Sequence, residues 1–148
     1  AKKLLRFLTS LSDLSTKERQ SMLDRLDNED SFRGEIGDRL IEILDRVDSH
    51  SKPEMIALAF RAYATDEINF DMLSRLNVAV ERLPHYEINQ VRPFFDASRE
   101  ERHSFNELTL NAFVNAGLAT QSSAWDAIVY KPTAVCEAFV QLQLDRCL

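Results

Sequence analysis

The residues that most often carry enzyme or metal chemistry are few in this chain and widely spaced. Its three histidines are His50, His85 and His103, and its two cysteines are Cys136 and Cys147. No two of these five residues have the spacing of a metal-binding motif. The chain also lacks G-x-S-x-G, H-E-x-x-H and a glycine-rich phosphate loop, for which its three glycines leave little material.

The acidic residues give no better candidate for a site. Glu100-Glu101 and Asp66-Glu67 are adjacent pairs, so their side chains point apart on a helix. His103 and Glu107 are four residues apart, which is the spacing of an ordinary surface pair on a helix. The acidic run at residues 27–30 does not fit a calcium-binding loop in any register. The sequence therefore predicts no catalytic residue, no metal and no cofactor, and favours a protein that is not an enzyme.

The cysteines indicate the compartment. Cys136 and Cys147 would lie about 16 Å apart along one helix, too far to form a disulfide with each other. Cys136 stands among Val135, Phe139 and Val140, a pattern typical of a buried, unreactive thiol. Two unpaired cysteines predict a reducing, cytoplasmic location.

Composition predicts a single helical domain over residues 1–148. The chain is 45% hydrophobic and 28% charged, and it has only three glycines and four prolines. Its net charge of −6 argues against non-specific binding of nucleic acid, and it has no apolar run long enough to span a membrane. Because it opens with Ala1 and not Met, already in a helical pattern, we expect a fragment, such as the cytoplasmic part of a longer protein.

Hydrophobic periodicity predicts the helices that would position any site. Apolar residues recur at helical spacing over Leu4–Leu11 and, most regularly, over Phe32–Val47. Capping patterns predict three further helices that begin after Ser15, Ser51 and Asn69, the last of which ends at Pro84. Residues 85–91 are predicted to form a short helix or irregular turn, and residues 92–95 a break.

The period changes in the segment from Phe105 to Leu144, which contains only four ionised side chains. A helix ending at Gly117 is followed by two predicted short strands, residues 118–120 and 125–130, joined through residues 121–123. Thr133 is predicted to cap a final helix. The sequence thus predicts a mainly α, compact domain of about six to eight helices with one small two-stranded β-hairpin near the C-terminus. Its predicted subdivision is residues 1–95, helical hairpins, and 96–148, the tail.

This order of elements resembles the recognition helix, wing and closing helix of winged-helix domains. In that resemblance Gly117-Leu118 leaves the recognition helix, residues 119–130 form the wing, and Tyr130 with Thr133 leads into the closing helix. The chain departs from the DNA-binding members, which carry basic residues on the helix and wing. Its helix offers Asn106, Glu107, Asn111 and Asn115, without Arg or Lys.

The leading hypothesis is a protein-interaction or regulatory domain that binds a protein partner or a second copy of itself. The phenylalanines after Pro93 would either mark a binding surface or fill the core. The alternative is a winged-helix DNA-binding regulator, for which Arg6, Arg92, Arg99, Arg102 and Lys131 would have to converge beside the hairpin. A third is an enzyme or small-ligand binder with a cleft lined by His85, Tyr86, Glu87 or His103. The candidate partner-binding residues are Trp125, Ile128, Tyr130, Phe94 and Phe95.

Overall fold

The computed structural model describes residues 15–27 and 51–147 of the chain. The helices predicted over Leu4–Leu11 and Phe32–Val47 lie outside these residues. Within them the fold is mainly helical with one two-stranded antiparallel sheet near the C-terminus, which confirms the predicted fold class. The helices are α1 Thr16–Asp27, α2 Lys52–Ala64, α3 Phe70–Arg82, α4 Val91–Asp96, α5 Arg99–Arg102, α6 Glu107–Asn115 and α7 Ala134–Gln141, with 3-10 helices at His85–Gln90 and Leu144–Arg146. The strands are β1 Ala119–Ala124 and β2 Ala127–Pro132.

Capping side chains start two of the helices where the sequence predicted them. Ser15 Oγ accepts the backbone N–H of Glu18 at 3.1 Å, and Asn69 Oδ1 accepts that of Met72 at 2.9 Å. The predicted capping box at Ser51 is wrong, because its side chain makes no capping hydrogen bond. The helix nevertheless begins there, since Pro53 lies in the first turn, where a backbone N–H has no partner within the helix.

The predicted break at residues 92–95 is also wrong, because these residues belong to α4. Pro93 is the third residue of that helix, within the first turn, so its missing N–H removes no intrahelical hydrogen bond. The far end of α4 is capped from α5: Arg102 Nε donates to the Phe94 carbonyl at 3.1 Å, and its guanidinium lies 5.4 Å from the Phe94 ring centroid.

The C-terminal helix α7 is the centre of the core. It packs against α3, α4 and β2, and one apolar cluster joins side chains from Met55 to Leu144. Each large apolar side chain that folding removes from water stabilises the folded state by about 1.5–3 kcal/mol. The fully buried members of this cluster include Leu73, Leu76, Ile88, Phe94, Phe113, Cys136 and Phe139.

A bidentate ion pair ties the end of the chain to α4. Arg92 donates from Nε and Nη2 to the two carboxylate oxygens of Asp145 at 2.8 and 3.0 Å, and from Nη2 to the Val140 carbonyl at 3.1 Å. The hydrogen bond that Arg92 donates to the Asp145 carboxylate raises the pKa of the Arg92 guanidinium. The pair therefore fixes the second 3-10 helix over the end of α7.

Across the described ranges, 15–27 and 51–147, every helix is too short or too polar to pass through a lipid bilayer.

Candidate functional site

The candidate site is the hairpin of β1 and β2 together with α6, which leads into it. Asn106 begins α6 by accepting the Leu108 N–H at 2.8 Å. The helix ends in a Schellman motif, in which the Leu118 N–H bonds the Phe113 carbonyl at 2.9 Å and the Gly117 N–H bonds that of Val114 at 3.1 Å. Gly117 has φ +82°, and a Cβ there would meet nothing within 4 Å, so backbone conformation and not crowding favours glycine.

Thr133 fastens the base of the hairpin. Its hydroxyl donates to the Gly117 carbonyl at 2.7 Å and accepts the N–H of Cys136 at 3.2 Å, which caps α7 as predicted. Its own N–H donates to the Leu118 carbonyl at 3.0 Å. The end of α6, the hairpin and the start of α7 are therefore joined through one residue.

The turn of the hairpin lies further along the chain than the sequence indicated. The register pairs Ala124 with Ala127, so Trp125 and Asp126 form a two-residue turn. Residues 121–123, predicted as the connection, instead extend β1, where their polar side chains are exposed. The prediction that Trp125 begins the second strand is wrong, because Trp125 lies in the turn and β2 begins at Ala127.

Two of the five predicted partner-binding residues are exposed on this hairpin. Trp125 retains 103% of its reference surface and has φ 54°, in the left-handed region, which is an outlier for a bulky residue. Ile128 retains 46%. Tyr130 is 9% exposed and its neighbour Val129 is also buried, so both faces of β2 are covered at this point of the strand.

The other two predicted residues belong to the helical core. Phe94 is fully buried, its ring centroid 5.1 Å from that of Phe113 and 5.9 Å from that of Phe105. Phe95 is half-buried against the same cluster. Of the two readings of the phenylalanines after Pro93, filling of the core applies to Phe94, which leaves no surface for a partner, whereas Phe95 keeps part of its surface in solvent.

Leu108 is a further exposed apolar side chain. Its helical spacing from Phe105, Ala112 and Phe113 predicts an inward position on α6, but it is 75% exposed. Asn111 and Asn115 follow it at three and seven residues, so the three share the outer face. The inward face of α6 is instead formed by Leu110 and Phe113, which are buried. These two residues are three apart, so the sequence already contained a helical spacing that indicates this face.

The charges around the hairpin are few. No ionisable side chain occurs between Glu107 and Asp126. Of the arginines that a DNA-binding surface would use, Arg92 is paired with Asp145 and Arg102 donates to carbonyls of α4. The helix α5 does pack against β2, but it brings Glu100 and Glu101 together with its arginines. Arg6 lies outside the described residues.

Two open clefts border the described core. One, of about 450 Å³, lies between α3 and the junction of α6 with β1; the other, of about 500 Å³, lies between α2 and the end of α7. Neither is lined by a histidine, and the residues named for an enzyme cleft line neither of them. The first cleft is lined among others by Arg75, Val78, Arg82, Val114, Gly117 and Val135.

The described residues contain two free thiols and no group of potential metal ligands. Both cysteines are free, and burial raises the pKa of Cys136 to about 12 and of Cys147 to about 11. Both thiols are therefore neutral and weakly nucleophilic near neutral pH. In the described ranges no three His, Cys, Asp or Glu side chains are grouped so as to hold a metal ion. No protein-family model matches the chain, and no curated protein or solved structure shows significant similarity to it.

Proposed function

We propose that this chain is a protein-interaction or regulatory domain without enzymatic activity, and that it contacts a protein partner through the hairpin of β1 and β2. The observation that carries the proposal is Trp125, a large aromatic side chain held entirely in solvent at the turn. Tryptophan is among the side chains most enriched at the energetic centres of protein interfaces.

The turn would be more stable without this tryptophan. A left-handed backbone costs roughly 1–2 kcal/mol for an ordinary residue, whereas glycine or asparagine adopts it readily. Because the side chain of Trp125 is fully exposed, its packing returns none of that cost. A strained backbone at an exposed position is a reason to infer function. Contact of Trp125 with a binding partner would be such a function.

The surroundings of Trp125 suit a protein partner. Interface centres are poor in charged residues, and the chain from Leu108 to Trp125 has none. Ile128 adds a second exposed apolar side chain on the neighbouring strand. The base of the hairpin is fixed by Thr133, so binding would cost little conformational entropy there.

We further propose that residues 107–141 form a winged-helix-like unit that binds protein and not DNA. The order of α6, Gly117-Leu118, hairpin and α7 supports the resemblance. The exposed face of α6 carries Leu108, Asn111 and Asn115 and no cation, which weighs against reading DNA.

Site-specific photo-crosslinking tests this proposal. A benzophenone amino acid replaces Trp125 in the protein expressed in its native cells, and cross-linked products are identified by mass spectrometry. The matched control places the same group at Tyr86, an aromatic side chain that is 75% exposed on the 3-10 helix. We expect protein cross-links from position 125 and few from position 86. Cross-links to nucleic acid, or equal yields from both positions, would overturn the proposal.

A further inference from the structure

The outer edge of β1 is an unpaired strand edge. In the described part of the chain, β1 pairs only with β2. The Thr133 N–H bonds the Leu118 carbonyl, so the paired residues Thr120 and Ser122 also direct their backbone groups toward β2. The N–H and C=O groups of Gln121 and Ser123 therefore point away from β2. Residues 120–123 are all exposed, so these groups face solvent.

The two edges of the hairpin differ in how they are protected. Pro132, Tyr130 and Ile128 are the outward-facing residues of β2, and Pro132 has no N–H to offer. That strand also carries Lys131 and is covered in part by α5. Proline, lysine and a covering helix are the usual devices that prevent a strand edge from pairing. By contrast, β1 has none of these devices along its exposed length.

The composition of β1 points to a second copy of the chain as the occupant. Each copy carries a net charge of −6, so two copies repel over most of their surfaces. The uncharged stretch between Glu107 and Asp126 includes all of β1 and brings no like charges together. The strand has only Ala, Thr, Gln and Ser side chains, which form no pockets to select a foreign peptide. An identical strand needs no such selection.

We infer that β1 pairs antiparallel with β1 of a second copy, centred on Ser122, to give a continuous four-stranded sheet. In this register Gln121 of each copy lies opposite Ser123 of the other copy. These two pairs form about four backbone hydrogen bonds across the two-fold axis. Ala124, the last residue of β1, then lies opposite the partner's Thr120, which brings the turn that carries Trp125 to the edge of the new strand pair. The inference rests on the proposed function and names its partner as a second copy.

Sedimentation equilibrium of the full chain tests the pairing. Gln121→Pro removes an outward N–H from each copy and no hydrogen bond to β2, whereas Gln121→Thr changes the side chain and keeps the N–H. We expect the dissociation constant of the dimer to rise at least tenfold in the proline variant and to stay within about twofold in the threonine variant. A monomeric wild type at several hundred micromolar, or a proline variant whose dissociation constant rises less than tenfold, would overturn the inference.

A disulfide test keeps the inference falsifiable if Gln121→Pro does not fold. Opposed residues of a non-hydrogen-bonded pair have Cα atoms about 4.5 Å apart, within disulfide range. In a Cys147→Ser background, Ser122→Cys should therefore oxidise rapidly to a covalent dimer, while Ser123→Cys, offset from its own copy, should not. Equal rates would overturn the register. If position 125 cross-links only to a different protein and the chain is monomeric, this inference fails while the proposed function stands. If no protein is cross-linked, the proposed function fails.

Discussion

Replacing Trp125 with asparagine should stabilise the protein. The turn places Trp125 at φ 54°, a conformation that asparagine adopts several times more often than other non-glycine residues. Because the tryptophan side chain is fully exposed, its removal exposes no core surface and leaves no cavity. Relief of backbone strain is thus the dominant energetic change.

The size of the effect follows from the turn. A left-handed residue costs roughly 1–2 kcal/mol, and asparagine recovers about half or more of that amount. We therefore expect the free energy of unfolding to rise by about 0.5–1.5 kcal/mol. For a chain of this size, each kcal/mol raises the melting temperature by about 2–4 °C. Trp125→Gly should raise the free energy of unfolding less than Trp125→Asn does. Glycine also makes the unfolded chain more flexible, which costs the folded state about 0.5–1 kcal/mol.

Urea unfolding followed by far-UV circular dichroism measures the change. Low micromolar protein is needed, because dimerisation would add a concentration-dependent term to the stability. Trp125→Val is the matched control: it also removes the exposed ring, but a β-branched residue is worse in a left-handed turn, so stability should fall below that of the wild type. An asparagine variant less stable than the wild type by more than about 0.5 kcal/mol would refute the reasoning.

Two further predictions concern the base of the hairpin and the buried thiols. Thr133→Ala should lower the unfolding free energy by about 1–2 kcal/mol, because α7 loses its N-cap and the Gly117 carbonyl its donor, while Thr133→Ser should lose much less; urea titration measures both. In the folded state the pKa of Cys136 is raised to about 12, above its ordinary value of 9.0. The contribution of the neutral thiol to the free energy of unfolding is therefore fully present below pH 9 and is lost as the pH rises toward 12. Unfolding free energies at pH 7 to 11 should decline accordingly, and Cys136→Ala should flatten that decline; an unchanged slope would contradict the burial of the thiol. With a small alkylating reagent, Cys147 should react before Cys136.

The helices and caps were predictable where the signal is local. Asn69, Ser15 and Thr133 cap helices through side-chain bonds that span only three residues, so sequence spacing contains the whole interaction. Gly117 is similar, because its left-handed conformation is set by the end of α6. The local period also placed the change from helix to strand in the correct part of the chain.

The features that the sequence did not predict depend on distant residues or on an unusual backbone conformation. The helix at Val91–Asp96 depends on Arg102 at one end and on the Arg92–Asp145 pair, whose members are 53 residues apart. The hairpin turn was misplaced because a tryptophan at positive φ breaks the usual preference for glycine or asparagine in two-residue turns. Of the proposed contact residues, Trp125 and Ile128 are exposed whereas Phe94 and Tyr130 are buried, and the sequence pattern alone could not separate the two pairs.

The exposure of Trp125 has a practical consequence for spectroscopy. It is the only tryptophan in the chain, and its indole ring is already in water in the folded protein. Its fluorescence should therefore change little when the core unfolds, so a conventional denaturation curve read from tryptophan emission would make a cooperative transition nearly invisible. The same emission should shift to shorter wavelength when the hairpin is covered, which makes the native protein its own label-free reporter of binding.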